Sequence, residues 1–251
     1  PKTQGDIARI KHMLFRYPLD NFNGVFVEAV QGEGGVEIWD QKYWRELLPI
    51  FREHGIAVVA DEIQCGMGRT GSLWGFQHVG IEPDMVVVGK GLANGITPIG
   101  LVIYKRALEV KPLENSWHAG TFPGHPMGLS AAIATLSLID RTMLMRVREM
   151  GEYLSDKLRF AVPQQHEGGA YCILKGTGLM QGIEFRDVFG EPDTKTRDAT
   201  LVALKNGGIL TIACGHPAIN PTIRFLPPYI IEKEHIDMLA DKIGLTKALT
   251  K

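Results

Sequence analysis

Two residues that could do chemistry follow two short apolar runs between residues 56 and 91. Asp61 comes directly after AVVA, and Lys90 follows MVVV after one glycine. Val-rich runs this short, bounded by Gly and Pro, are typical of buried strands in a mostly parallel sheet. Ligands bind beyond the carboxyl ends of such strands, so both side chains are predicted at one edge of a sheet. They would form either a structural ion pair, or a lysine Schiff base and a carboxylate at the ring nitrogen of pyridoxal phosphate (PLP).

The wider sequence favours the second interpretation. Five segments occur in a fixed order along the chain: VFVEAVQGEGG, ADEIQCGMGRTG, PDMVVVGKG, GTFPGHP and IRFLPP. Together they resemble the class III (omega, or 4-aminobutyrate type) aminotransferases, which are PLP enzymes of fold type I. The resemblance runs from about residue 21 to the C-terminus, and the DEIQCGMGRTG block with its downstream lysine is highly specific.

The resemblance implies a cofactor-binding role for residues on three of these segments. Asp61 would bond the pyridine nitrogen of PLP, Ile63 would pack beneath the ring, and Gln64 would reach its phenolic oxygen. Lys90 would hold the cofactor and then move the proton at the substrate carbon. Thr121 would give its hydroxyl to the PLP phosphate of a neighbouring subunit, which implies a homodimer with shared active sites.

The resemblance also implies two substrate-binding residues. Arg224 would bind the carboxylate of an amino acid, because the guanidinium fork matches two oxygens. Glu28 would pair with Arg224 when a substrate presents no carboxylate there. The expected reaction moves an amino group between an amino acid, of 4-aminobutyrate, omega-amino or glutamate type, and a 2-oxo acid. PLP-dependent racemases and decarboxylases share this framework, and a non-catalytic truncated paralogue is an alternative from another class.

The motif GMGRTG matches the dinucleotide-binding pattern by letter but not by context. Such a motif opens a helix directly after a strand, whereas here several residues separate it from the apolar run and SLWGF follows it. We therefore reject an NAD-binding interpretation. Arg69 is interpreted as a residue that orders its loop, and Glu62 as a structural residue.

Composition excludes several classes of function. Hydrophobic residues make up 45% of the 251 residues and the formal net charge is -1, so no overall field would attract nucleic acid or a membrane surface. The three cysteines have no CxxC spacing, which disfavours disulfides and a zinc site, and no metal site is predicted. No apolar run reaches membrane length. A cytoplasmic protein is expected.

The order of patterns predicts an α/β fold in two parts. Residues 1–155 are expected to form the C-terminal portion of a PLP-binding large domain, with a mostly parallel sheet and connecting helices. Residues 156–251 are expected to form a small α+β domain. Members of the resembled family are longer before the point where this sequence begins with Pro1. We therefore expect the sequence to be the C-terminal part of a longer protein, without the glycine-rich loop that grips the PLP phosphate.

Overall fold

The chain forms two compact units that are interleaved in sequence. The computed structural model describes residues 4–17, 22–108, 120–162, 169–216 and 218–246. The first unit contains Pro1–Ala29, Trp39–Met67 and Ser72–Asp140, and the second contains Val30–Ile38, Gly68–Gly71 and Arg141–Lys251. Two short pieces of the second unit therefore come from within the sequence of the first.

The elements alternate between helix and strand along most of the chain. Up to residue 108 they are α1 (Gln4–Arg16), β1 (Gly24–Val27), β2 (Val30–Gln31), β3 (Glu37–Ile38), α2 (Gln41–Glu53), β4 (Ala57–Asp61), α3 (Phe76–Val79), β5 (Met85–Val88), a 3-10 turn (Lys90–Ala93), β6 (Leu101–Tyr104) and a second 3-10 turn (Arg106–Leu108). After residue 120 they are α4 (Pro126–Leu138), α5 (Arg141–Ala161), β7 (Tyr171–Thr177), β8 (Met180–Arg186), α6 (Thr194–Asn206), β9 (Ile212–Ala213), β10 (Thr222–Phe225) and α7 (Lys233–Thr246).

The first unit is built on a four-stranded sheet in the order β1-β4-β5-β6. The pairs β1–β4 and β4–β5 are parallel, and β6 is antiparallel to β5. The apolar run before Asp61 is buried in β4, as its composition predicted. Helix α2 begins at a capped end, where the side chain of Asp40 accepts a hydrogen bond from the backbone N–H of Lys42 at 2.8 Å.

The second unit is built on an antiparallel sheet in the order β7-β8-β10-β9, with β2 and β3 forming a separate hairpin. Helix α5 belongs to this unit because five of its side chains enter the unit's core: Val147, Met150, Leu154, Leu158 and Ala161. The predicted division between residues 155 and 156 therefore falls inside a continuous helix. The last segment of the second unit starts at Arg141, the first residue of α5.

By length and composition no single described helix could cross a membrane, and α4 with α5 passes that test only as a pair bent by 71°. No group of three or more His, Cys, Asp or Glu within the described ranges is placed to hold a metal ion. None of the three cysteines forms a disulfide, and all three are buried.

Asp84 joins three strands of the first unit. Its carboxylate accepts hydrogen bonds from Val58 N–H in β4 at 2.9 Å and from the Lys105 amine, just after β6, at 2.8 Å. Burial works to raise the pKa of Asp84, but the contacts with Lys105 and Val58 outweigh it and hold the pKa below its ordinary range. A carboxyl whose pKa is lowered by folding stabilises the fold above its unfolded pKa and loses that contribution as the pH falls through the folded pKa.

Asp84→Ala should therefore lower the free energy of unfolding by about 1–2 kcal/mol at neutral pH, since it removes two hydrogen bonds from a carboxylate. Glu82→Ala is the matched control, because Glu82 makes an ion pair with Arg52 in which both side chains are more than half exposed. Urea denaturation across a pH series would measure both. The difference between wild type and Asp84→Ala should shrink as the pH falls below about 4, and a constant difference would contradict the assignment.

Candidate active site

Asp61 lies where the predicted sheet edge places it. It is the last residue of β4 and is the register partner of Val87 in β5. Its carboxylate accepts the backbone N–H of Ile63 at 3.1 Å, which fixes the orientation of the side chain. Because β4 and β5 are parallel, the carboxyl ends of both strands lie at this edge.

Lys90 begins the 3-10 turn that follows β5 at the same edge. Its side chain is exposed and its φ is +41°, a left-handed conformation that costs free energy in a residue other than glycine. A Cβ placed on Gly89 would be 3.6 Å from the side chain of Ile63, so Ile63 lies against the residue before the lysine. The structure thus brings Asp61, Ile63 and Lys90 to one end of the β4–β5 pair.

Glu62 organises the loop between them. Its buried carboxylate accepts the N–H groups of Gly75 at 2.7 Å and Phe76 at 2.9 Å, and the Cys65 thiol lies 3.4 Å away. Burial raises the pKa of Glu62, and the two backbone donors oppose that shift. Glycine is required at position 66, because a Cβ there would be 2.6 Å from the Glu62 carbonyl oxygen. The interpretation of Glu62 as structural is confirmed.

Gln64 and Thr121 are placed in loops of the first unit. Gln64 is partly buried in the turns that follow Asp61, and Thr121 is exposed in the loop before α4. His125 caps α4, since its Nδ1 accepts the N–H of Gly128 at 3.1 Å. The cofactor contacts assigned to Gln64 and Thr121 by resemblance stay predictions.

Arg69 orders its loop, as predicted, by binding two carbonyl groups of the second unit. Its guanidinium donates to Pro227 O at 2.5 Å and to Leu179 O at 3.3 Å, and it lies over the Tyr229 ring at 4.5 Å from the centroid. Burial lowers the pKa of Arg69, and Tyr229 opposes that shift. The turns from residue 63 to 75 contain no helix, so the context that a dinucleotide motif needs is absent here.

Arg224 is buried in β10 and pairs with a glutamate of the same unit. Its Nη1 donates to Oε1 of Glu33 at 2.7 Å, whereas Glu28 directly follows β1 and belongs to the first unit. Oε2 of Glu33 accepts the N–H of Gly215 at 2.9 Å. Glu33 lies on the turn between β2 and β3, and this hairpin belongs to the same unit as β10. The pairing of Glu28 with Arg224 stays a prediction, and Glu33 is a partner of Arg224 that no local sequence pattern singles out.

These side chains offer two kinds of binding chemistry, one in each unit. Asp61 and Lys90 fit the two ends of PLP: a carboxylate suits the protonated ring nitrogen, and a primary amine suits the aldehyde carbon. Arg224 fits a carboxylate, as its pairing with Glu33 demonstrates. A glutamate that occupies this guanidinium would compete with any substrate carboxylate bound there.

The chain belongs to the class III aminotransferases, a family that uses PLP. The family model described as aminotransferase class-III matches residues 3–247, which confirms the family indicated by the sequence motifs. It also makes this chain a member of an enzyme family whose members act on amino acids and oxo acids.

Curated relatives name a narrower activity. The chain is 34% identical over 246 residues to the acetylornithine aminotransferase of Prochlorococcus marinus, covering 96% of this chain and 55% of that protein. It is also 34% identical over 242 residues to the acetylornithine aminotransferase of Methanocaldococcus jannaschii, covering 95% and 55%. The chain therefore spans about half the length of the curated relatives it matches.

Solved structures confirm the predicted α/β fold. An ornithine aminotransferase from Plasmodium yoelii matches with a TM-score of 0.81 and 26% identity, over 99% of this chain and 62% of that one. A transaminase from the marine bacterium Virgibacillus matches with a TM-score of 0.85 over 97% and 56%, and at 23% identity this match concerns the fold alone.

Arg69→Met should lower the free energy of unfolding by about 1–3 kcal/mol, because two carbonyl oxygens lose their charged donor. Arg159→Met is the control, since both side chains of the ion pair between Arg159 and Asp156 are more than half exposed. Urea denaturation followed by circular dichroism would compare the two. Equal stability of both variants would show that Arg69 does not hold the loop.

Proposed function

We propose that the protein is a PLP-dependent aminotransferase that moves an amino group between an omega-amino compound and a 2-oxo acid. The observation that carries this proposal is the pair Asp61 and Lys90 at the carboxyl ends of two parallel neighbouring strands. Membership of the class III family supports it. The ion pair of Arg224 supports a carboxylate among the groups that are bound.

Four side chains of the first unit would each contact a different part of PLP. PLP, when bound, supplies an electron sink for the charge that develops at the substrate carbon. Asp61 holds a proton on the ring nitrogen, and its hydrogen bond from Ile63 N–H keeps the carboxylate aimed. Lys90 would hold the aldehyde end of PLP and would move a proton at the substrate carbon. Ile63 would pack beneath the ring, and Gln64 would bind the phenolic oxygen.

Arg224 and Glu33 together explain how one site would accept two kinds of substrate. A 2-oxo acid places its carboxylate on the Arg224 guanidinium and displaces Glu33. An omega-amino donor presents no carboxylate at that point, and Glu33 then keeps the buried guanidinium neutralised. Both halves of a ping-pong reaction are thereby served by one arginine. Glu33 takes this pairing role in the present proposal, and the pairing of Glu28 with Arg224 stays a prediction.

The amino donor is proposed from the relatives. Acetylornithine is the first candidate, because the curated relatives named above carry that substrate in their names. The expectation of 4-aminobutyrate receives no support from these relatives. An acceptor with a carboxylate beside its oxo group, such as 2-oxoglutarate, is proposed for the Arg224 site.

A homodimer is proposed from the surface of α4. This helix has no charged residue and is mostly apolar, yet Gly128 and Ala132 are its buried members. A helix of this composition is typically buried. Its large exposed side chains are Met127, Leu129, Ile133, Leu136 and Leu138. A second subunit covering this face would also bury Thr121 nearby, where its hydroxyl would bind the phosphate of PLP held by that subunit.

Amino donors, beginning with acetylornithine and 4-aminobutyrate, should be assayed against 2-oxoglutarate and pyruvate with PLP added. Turnover that requires a 2-oxo acid and transfers nitrogen to it is the expected result. Racemisation or loss of carbon dioxide without an acceptor would replace transamination by another PLP-dependent reaction. Absence of PLP binding would favour a non-catalytic chain.

Lys90→Ala should abolish covalent attachment of PLP. With wild-type protein, borohydride reduction in the presence of PLP should leave a pyridoxyl group on Lys90, detected by peptide mass spectrometry. Lys42→Ala is the control, since Lys42 is an exposed lysine in the first turn of α2. Labelling that persists in Lys90→Ala at the wild-type level would overturn the assignment of this lysine.

A further inference from the structure

The hairpin that carries Glu33 rests on a row of three residues that crosses the sheet of the second unit. Gly182 in β8 is the register partner of Lys175 in β7 and of Arg224 in β10. Register partners on neighbouring strands project to the same face of a sheet. Two cations therefore stand on either side of a residue that has no side chain.

Val36 of the hairpin fills the space above Gly182. A Cβ on Gly182 would lie 2.9 Å from Cγ2 of Val36, so any larger residue would push Val36 away. Val36 is fully buried and has a φ of +55°. This left-handed conformation is unfavourable for a β-branched residue and persists only where the surroundings enforce it. The position of Val36 is thus fixed by its packing on the sheet.

Two ion pairs flank Val36, and they differ in exposure. Glu37 pairs with Lys175, which also contacts Glu184. The side chains of Lys175, Glu37 and Glu184 are only 15%, 16% and 5% exposed, respectively. On the other side of Val36, Glu33 pairs with Arg224 while its own side chain is 57% exposed. Breaking a buried pair leaves charges out of water at a high cost, whereas an exposed carboxylate exchanges readily with water or a ligand.

We propose that Glu37, Lys175 and Val36 form an anchor that positions Glu33 and sets how strongly it competes with a substrate carboxylate for Arg224. This inference rests on the proposed function, in which Arg224 binds that carboxylate. The buried pair stays closed while the exposed pair opens and closes. The anchor therefore determines the preference of the site between substrates that bring a carboxylate to Arg224 and substrates that do not.

Loosening the anchor should favour the carboxylate substrate. In Glu37→Gln the attraction to Lys175 falls, while Lys175 keeps Glu184 as a partner. In Gly182→Ala the new methyl group displaces Val36. Glu33 then spends less time at Arg224, so both variants should bind glutarate roughly fivefold more tightly than wild type. The KM for 2-oxoglutarate should fall by a similar factor with little change in kcat, and the KM for the amino donor should rise.

The experiment uses PLP-loaded protein, with calorimetry for glutarate and each half-reaction followed separately. Glu232→Gln is the matched control, because it removes the same charge from an exposed pair with Arg146 in the same unit. Circular dichroism checks folding, and if Glu37→Gln does not fold, Gly182→Ala decides alone. Arg224→Lys tests the underlying assignment, since it should weaken glutarate binding.

These outcomes distinguish the anchor from the carboxylate site at Arg224 on which it rests. If Arg224→Lys weakens glutarate binding while Glu37→Gln and Gly182→Ala behave like Glu232→Gln, the anchor is wrong and the carboxylate site stands. Weaker glutarate binding in the anchor variants overturns the anchor as well. If Arg224→Lys leaves glutarate binding unchanged, the proposed carboxylate site itself fails, and the anchor fails with it.

Discussion

The buried guanidinium of Arg224 is the constraint around which the second unit is arranged. A charge removed from water requires a partner, and a partner that is to be exchanged with substrate must stay accessible. Glu33 meets both conditions because it pairs with Arg224 while more than half of its side chain is exposed. The hairpin that holds Glu33 is too short to be stable alone, so it depends on Val36 and Glu37 for its place on the sheet. The need to neutralise the buried charge of Arg224 thus explains the strained backbone of Val36 and the second ion pair, between Glu37 and Lys175.

A comparable requirement shapes the first unit. In the proposed function Asp61 binds the ring nitrogen from the end of a strand, so the chain must turn sharply after β4 without covering that carboxylate. The next residue, Glu62, stabilises this turn, because its carboxylate accepts hydrogen bonds from the N–H groups at the start of α3. The adjacent residues Asp61 and Glu62 therefore have different roles: Asp61 is proposed to bind the cofactor, and Glu62 stabilises the loop. Alternation along the extended chain sends their side chains to opposite sides.

The parts of the fold that could be predicted from sequence depend on local patterns. Valine-rich runs defined β4 and β5, and their parallel pairing then placed Asp61 and Lys90 at one edge. Asp40 was identifiable as a cap because its chemistry acts within two residues. The pairing of Glu33 with Arg224 spans 191 residues, and no local pattern distinguishes Glu33 from Glu28 as the partner. The carbonyl groups bound by Arg69 were equally unpredictable, since every residue has a carbonyl and only the folded backbone selects two of them.

The division into two units could not be predicted by cutting the sequence at a single position. The second unit takes residues 30–38 and 68–71 from within the sequence of the first, and these nine- and four-residue pieces carry Glu33, Val36 and Arg69. A fragment starting at residue 141 would keep Arg224 and lose the carboxylate that neutralises it. It would also keep Pro227 and Leu179 and lose the guanidinium that binds their carbonyl groups. The C-terminal sheet is therefore contiguous in sequence, but the charges and hydrogen bonds that complete it are not.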